Sequence, residues 1–123
     1  MVSALTWVGI AIFGALGAVA RFRLDAAVSA RMPTNFPLGT FVVNLSGSCA
    51  LGLIVGVALT HRLALVFGTG FMGGYTTFST WMVESVRLGE GGDVEALLRN
   101  LWLSMLAGLA SAAAGFYVGQ AIT

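Results

Sequence analysis

Gly73-Gly74-Tyr75-Thr76-Thr77 interrupts a long apolar run with two adjacent glycines and two threonines. Glycine costs roughly 1 kcal/mol relative to alanine inside a helix, and β-branched threonine is also a weak helix former. The spacing predicts a break, and its chemistry belongs to the backbone. An interrupted helix frees carbonyls and amides, which hydrocarbon tolerates only where protein or a water-filled path covers them. Unwound carbonyls at membrane depth can coordinate cations, and half-helix ends can face ions. The competing reading is a helix kinked for packing alone.

Other polar side chains are scattered through apolar stretches. Thr40 and Asn44 are four residues apart, so they share one helix face. With Ser46, Ser48, Thr76, Thr77, Ser79, Thr80, Ser104 and Ser111 they form a set of hydroxyl and amide donors suited to lining an ion path. Asn44 taken alone is better explained by bonding to a neighbouring helix, and Ser104 and Ser111, seven apart on one face, are of a kind common in membrane helices. Glu84, eight residues past Thr76, is either a functional intramembrane carboxylate or a helix-supporting group near the interface. Arg21 either snorkels to the interface or attracts anions in a wet vestibule. His61 and Arg62 fit a solvated turn.

Several chemistries are excluded. Gly68-x-Gly70-x-x-Gly73 matches a dinucleotide fingerprint, but that fingerprint requires a preceding strand and a βαβ unit. Here it lies in an apolar span. Asn44-Leu-Ser46 has the spacing of a glycosylation acceptor, again inside a span. A single His, no Lys and no metal-ligand cluster leave no catalytic constellation. Six arginines against five acids give a net charge of +1, so no basic surface calls for nucleic acid. The single Cys49 cannot close an internal disulfide.

The elements that must position these residues follow from composition. The 123 residues are 58% hydrophobic and 9% charged, with a mean hydropathy of +0.93. A soluble domain averages about 25% charged residues. About 20 apolar residues span a bilayer as a helix, and four such stretches occur, at about 4–20, 38–60, 63–88 and 101–122. The fold class is therefore an all-α integral membrane protein, one domain over 1–123. Its third span is broken near 73–77. A polar connection at 25–37 joins the first two spans and holds both prolines, and a Gly- and acid-rich one at 89–100 joins the last two. Spans two and three form a tight hairpin. The N-terminus lacks the basic stretch of a cleaved signal peptide, so the first span is expected to stay. Gly52-x-x-x-Gly56 and Gly115-x-x-x-Gly119 have the small-residue spacing of membrane helix contacts, although chance explains either pair alone equally well.

Four stretches in order along the chain carry a resemblance. They are Gly14-Ala-Leu-Gly-Ala-Val-Ala-Arg21, Phe36-Pro-Leu-Gly-Thr40, Asn44-Leu-Ser-Gly47 and Gly70-Phe-Met-Gly-Gly-Tyr-Thr-Thr-Phe-Ser-Thr-Trp81 followed by Glu84. Together they resemble the Fluc/CrcB fluoride channels. The third-span stretch is the specific one; the last span has no strong signature. The resemblance implies passive fluoride export across the plasma membrane by an antiparallel dimer with two narrow pores. It implies a central sodium ion held by the backbone carbonyls of Gly73 and Thr76 from each subunit. Oxygen ligands suit such a hard cation. It places Asn44, Phe78 and Trp81 on the anion path, with Thr77, Ser79, Thr80 and Arg21 as further candidates. Aromatic edges are electropositive, and together with hydroxyls they can replace part of an anion's hydration without trapping it. Phe is usual where Trp81 stands, and the sequence leaves open whether the indole binds fluoride more tightly, obstructs the path or is accommodated.

Cytoplasmic loops carry an excess of Arg and Lys. Arg21, Arg23, Arg31, Arg87 and Arg99 lie on one face, against Arg62 on the other. The termini are therefore expected outside. Such a bias suits one member of an oppositely oriented pair, because an antiparallel homodimer needs the chain inserted both ways. Homodimer and heterodimer both remain open, with fluoride, sodium and lipid as the other partners. Two rival functions stand beside the channel. A small multidrug-type proton-coupled exporter needs a carboxylate in its first span, and residues 5–20 contain none. The other rival is a non-conducting partner subunit.

Overall fold

The computed structural model describes residues 2–32, 34 and 36–123, and among these the ordered elements are all helical. Helix α1 is Ala4–Arg31 and α2 is Leu38–Val57. A continuous helical segment over 61–75, here α3, contains π-helical Ala64–Met72 followed by a last turn, Gly73–Tyr75. Helix α4 is Ser79–Glu90 and α5 is Val94–Ala121.

Two connections are shorter than hydropathy suggests. Helix α1 continues through Arg21, Arg23 and Asp25 to Arg31, so most of the expected 25–37 connection is helical. The reason is local. Leu24, Ala26, Ala27 and Ala30 are strong helix formers, and a helix needs no hydrocarbon around it to continue. Pro33 lies outside the described residues. Likewise α5 begins at Val94, where the Asp93 carboxylate caps it by accepting the Ala96 N–H at 3.0 Å. Between α4 and α5 the chain turns at Gly92, whose φ of 86° falls in the left-handed region. The N–H of Asp93 reaches back to the Leu88 carbonyl at 3.0 Å, closing the end of α4.

Helices α1, α2 and α5 are each long and apolar enough to cross a bilayer. Large apolar side chains such as Leu5, Trp7, Ile12, Trp102, Leu106, Leu109 and Tyr117 point outward. Among the described residues the buried apolar side chains are only Val43, Met72 and Ala96. A protein that turns its hydrocarbon out and packs backbone against backbone is built for lipid. This is a multi-pass membrane protein.

The inner contacts are glycine seams, and they pair helices that are not consecutive. A Cβ added at Gly17 or Gly74 would overlap the Phe71 or Gly14 carbonyl oxygen, respectively, and one at Gly70 would lie 3.1 Å from Ile10 Cα. This seam joins α1 to α3. The second seam joins α2 to α5. Added Cβ atoms at Gly52 and Gly56 would overlap the Ala112 and Phe116 carbonyl oxygens, one at Gly115 that of Cys49, and one at Gly119 would lie 2.7 Å from that of Leu53. The two small-residue motifs therefore face each other. Helices α2 and α3 are joined by a short turn at 58–60, where α2 ends on left-handed Ala58. Despite that turn, each packs mainly on another helix. Past residue 78 the third stretch changes company, since α3 lies on α1 while α4 lies chiefly on α5.

Candidate functional site

The site is built around residues 76–78, between the end of α3 and the start of α4. Thr76 is extended, with φ −79° and ψ 157°. Its N–H and its Oγ1 both donate to the Met72 carbonyl, each at 2.9 Å. Asn44 from α2 then meets the Thr77 backbone in two places. Its Nδ2 donates to the Thr77 carbonyl at 2.8 Å, and its Oδ1 accepts the Thr77 N–H at 2.8 Å. One side-chain amide thus replaces both bonds that a continuous helix would have given Thr77. The Thr77 Oγ1 accepts the Thr80 N–H at 3.2 Å, which satisfies one free donor in the first turn of α4. Thr77 Oγ1 and Ser79 Oγ lie 3.4 Å apart. Among the described residues no backbone N–H bonds the carbonyls of Gly73 or Thr76.

Thr40, one turn before Asn44, donates to the Glu84 carboxylate of α4. Both α2 residues therefore reach the same stretch, as their four-residue spacing implies. Two cavities flank this contact. The smaller, about 160 Å³, is lined by Arg21, Phe22, Asp25, Thr40, Val43, Thr77 and Thr80. The larger, about 650 Å³, has Glu84, Arg87, Ser29 and Phe36 in its walls. The Thr40–Glu84 pair stands between them, one member on each.

Arg21, Thr77 and Thr80 come together in the smaller cavity. Phe78 and Trp81 lie elsewhere. They form an edge-to-face pair with ring centroids 5.7 Å apart, and Phe78 remains 68% exposed. Ser104 and Ser111 do not reach residues 76–78. Ser104 Oγ donates to the Asn100 side chain at 3.2 Å, and Ser111 Oγ donates to the Leu45 carbonyl at 2.8 Å. For Ser111, interhelical bonding is the reading the structure supports.

Sequence reasoning missed three residues. Asp25 follows Arg21 by one turn and shares its cavity, a signal that i, i+4 spacing carried. Asn100 was assigned to a connection, yet it lies within α5 and is 1% exposed. Its spacing to Ser104, again four residues, was the available clue. Tyr75 pairs its hydroxyl with Ser46 Oγ at 2.8 Å.

The arrangement offers hydroxyls, amide groups and freed carbonyls to an ion, with no nucleophile–base pair among them. Comparison with known proteins gives the same class. Residues 8–116 match the family described as "CrcB-like protein, Camphor Resistance (CrcB)". The chain is 48% identical over 122 residues to a protein of Mycolicibacterium paratuberculosis named "Fluoride-specific ion channel FluC 2", covering 99% of this chain and all of that one. It is 45% identical to the FluC 2 protein of Mycobacterium tuberculosis (strain H37Rv), covering 93% of this chain and 90% of that one. It is 44% identical to the "Fluoride-specific ion channel FluC 1" of Leifsonia xyli, covering 94% and 87%. On these matches and on its helical membrane architecture, the chain belongs to the CrcB-like family, whose named relatives are fluoride channels.

Proposed function

We propose that this chain is a subunit of a fluoride-selective channel that exports fluoride passively across the plasma membrane. The observation that carries the proposal is the Asn44–Thr77 brace. It holds non-helical backbone, with Thr77 and Thr80, beside a small cavity that Arg21 and Asp25 also line. Hydroxyl and ring-edge donors match a small, strongly hydrated anion. Relatives bearing the name of fluoride-specific channel support the choice of ion.

In this reading residues 61–90 form one membrane crossing broken near its middle, and the subunit pairs with an oppositely oriented one. Exposed Phe78 then meets the partner and the anion path rather than lipid. Trp81, Asn44, Thr77, Ser79 and Thr80 act along that path, and Arg21 attracts anions at its mouth. The carbonyls of Gly73 and Thr76 would hold a sodium ion shared with the partner subunit. The donor chemistry fits, because both oxygens are free of backbone N–H donors and a Cβ at Gly73 would meet nothing within 4 Å. When bound, the ion would supply a fixed positive charge. Glu84, held by Thr40, supports α4.

The test is fluoride efflux from liposomes carrying the purified chain. Selective release independent of a proton gradient supports the proposal. Silence alone with recovery on adding an oppositely oriented paralogue assigns the chain to a heterodimer, which the uneven arginines favour. Asp25, facing the smaller cavity from α1, is the carboxylate that a proton-coupled exporter would use. Transport driven by a proton gradient and lost in Asp25→Asn replaces the channel reading with that one.

A further inference from the structure

Trp81 makes no polar contact with the break. Its indole N–H points to α5, where it donates to the Asn100 backbone carbonyl at 3.1 Å. The Asn100 side chain, 1% exposed, completes a closed set of bonds. Its Nδ2 donates to Ser85 Oγ at 2.7 Å, Ser85 Oγ donates to the Trp81 carbonyl at 2.8 Å, and Ser104 Oγ donates to Asn100 Oδ1 at 3.2 Å. Both ends of Trp81, ring nitrogen and backbone carbonyl, are therefore tied to one residue of α5. What the ring leaves free is its carbon perimeter, set edge-to-face against Phe78.

We infer that Asn100 is a positioning residue for Trp81, withholding the indole N–H from the ion path so that Trp81 presents only ring carbon there. This rests on the channel reading above and adds to it a determinant on the last helix. Of the three fates that the sequence leaves open for the indole, this one is accommodation. An indole N–H free to meet fluoride would be a strong donor, and a strong donor delays release. Bonded to a buried carbonyl, it has no second hydrogen to give. Polar groups in such a network act together, and pairwise substitution is the way to apportion them.

The test is a double-mutant cycle read by fluoride flux in the conducting assembly, with Trp81 emission as a second readout. Trp81→Phe keeps a ring edge, removes the N–H and supplies the second background of the cycle, so each flux is read relative to its own background. Asn100→Ala should lower flux about tenfold in the parent and less than about twofold in the Trp81→Phe background, where no indole is left to misplace. Both substitutions keep the backbone carbonyl that accepts the indole N–H and cut the Asn100 Nδ2–Ser85 Oγ bond that holds Trp81 in register with it, so Ser85→Ala replaces Asn100→Ala if that variant fails to assemble. Trp7 and Trp102 are 61% and 58% exposed, so both can be changed to Phe to leave Trp81 as the sole indole. Its emission should then shift on Asn100→Ala or Ser85→Ala, whether or not the protein conducts. A parent that carries no fluoride defeats the channel reading and leaves the emission test standing. Equal fold losses of flux in both backgrounds, or unmoved emission, would each overturn the inference.

Discussion

Replacing Asn44 by alanine tests the brace directly. The substitution removes two hydrogen bonds of 2.8 Å and leaves the Thr77 N–H and carbonyl without them, at a residue only 8% exposed. An unsatisfied buried polar group costs about 1–3 kcal/mol, so the two together cost about 2–6 kcal/mol. Thr77 also borders the 160 Å³ cavity, from which water can take up part of the loss. The lower end, about 2–3 kcal/mol, is therefore the expected destabilisation, close to a hundredfold in the folded-to-unfolded ratio. Asn44→Asp should cost at least as much. It still accepts the Thr77 N–H but sets a carboxylate oxygen against the Thr77 carbonyl. Equilibrium unfolding in mixed micelles measures the stability, and fluoride efflux from liposomes measures function alongside it. Both should fall together. An Asn44→Ala protein that unfolds within about 0.5 kcal/mol of the parent would falsify the brace. Flux lost at unchanged stability would make Asn44 a contact for the ion alone.

Three further outcomes are expected. Phe78→Ile should abolish fluoride flux while the chain still folds and assembles, because the ring is largely exposed within the subunit and apolar bulk is kept; normal release would make Phe78 a packing residue. Gly115→Val should prevent assembly, because even a single methyl there overlaps the Cys49 carbonyl oxygen across the α2–α5 seam; a monodisperse dimer on size exclusion with unchanged unfolding would contradict the seam. Expressed alone, the chain should insert with both termini outside, given five arginines on one face and one on the other. Equal labelling of the termini from both sides, with robust flux, would instead mark a dual-topology homodimer.

How much the sequence disclosed depended on the kind of force involved. Hydropathy located the apolar stretches, because transfer to lipid is summed over about 20 residues and tolerates local noise. It could not place the ends of α1 or α5, since Asp25–Arg31 and Val94–Asn100 form helix by local propensity beyond any apolar signal. The four-residue spacing of Thr40 and Asn44 correctly put them on one face. Their separate targets, Glu84 and the Thr77 backbone, depend on how α2 lies against the third stretch, which spacing alone does not carry. The two glycine motifs were visible but could not be matched to each other. Their meeting requires knowing that α2 lies beside α5 rather than beside its sequence neighbour α3. Asn100 stayed hidden because the acids and glycines before it disguised the first turns of a helix as a connection.

The crossed pairing of the seams has a consequence for how the chain is made. Helix α1 leaves the ribosome well before α3 exists, and α2 likewise precedes α5, its partner. At about 5–20 residues per second, each early helix waits for seconds with its glycine face open. Helix α2 waits until α5 has been made, so its small-residue face is bare while the whole third stretch is synthesised. During that interval the face is open to any other nascent α5, including that of a neighbouring copy. The short 58–60 turn counters this, holding α2 beside the arriving third stretch while the last helix is still to come.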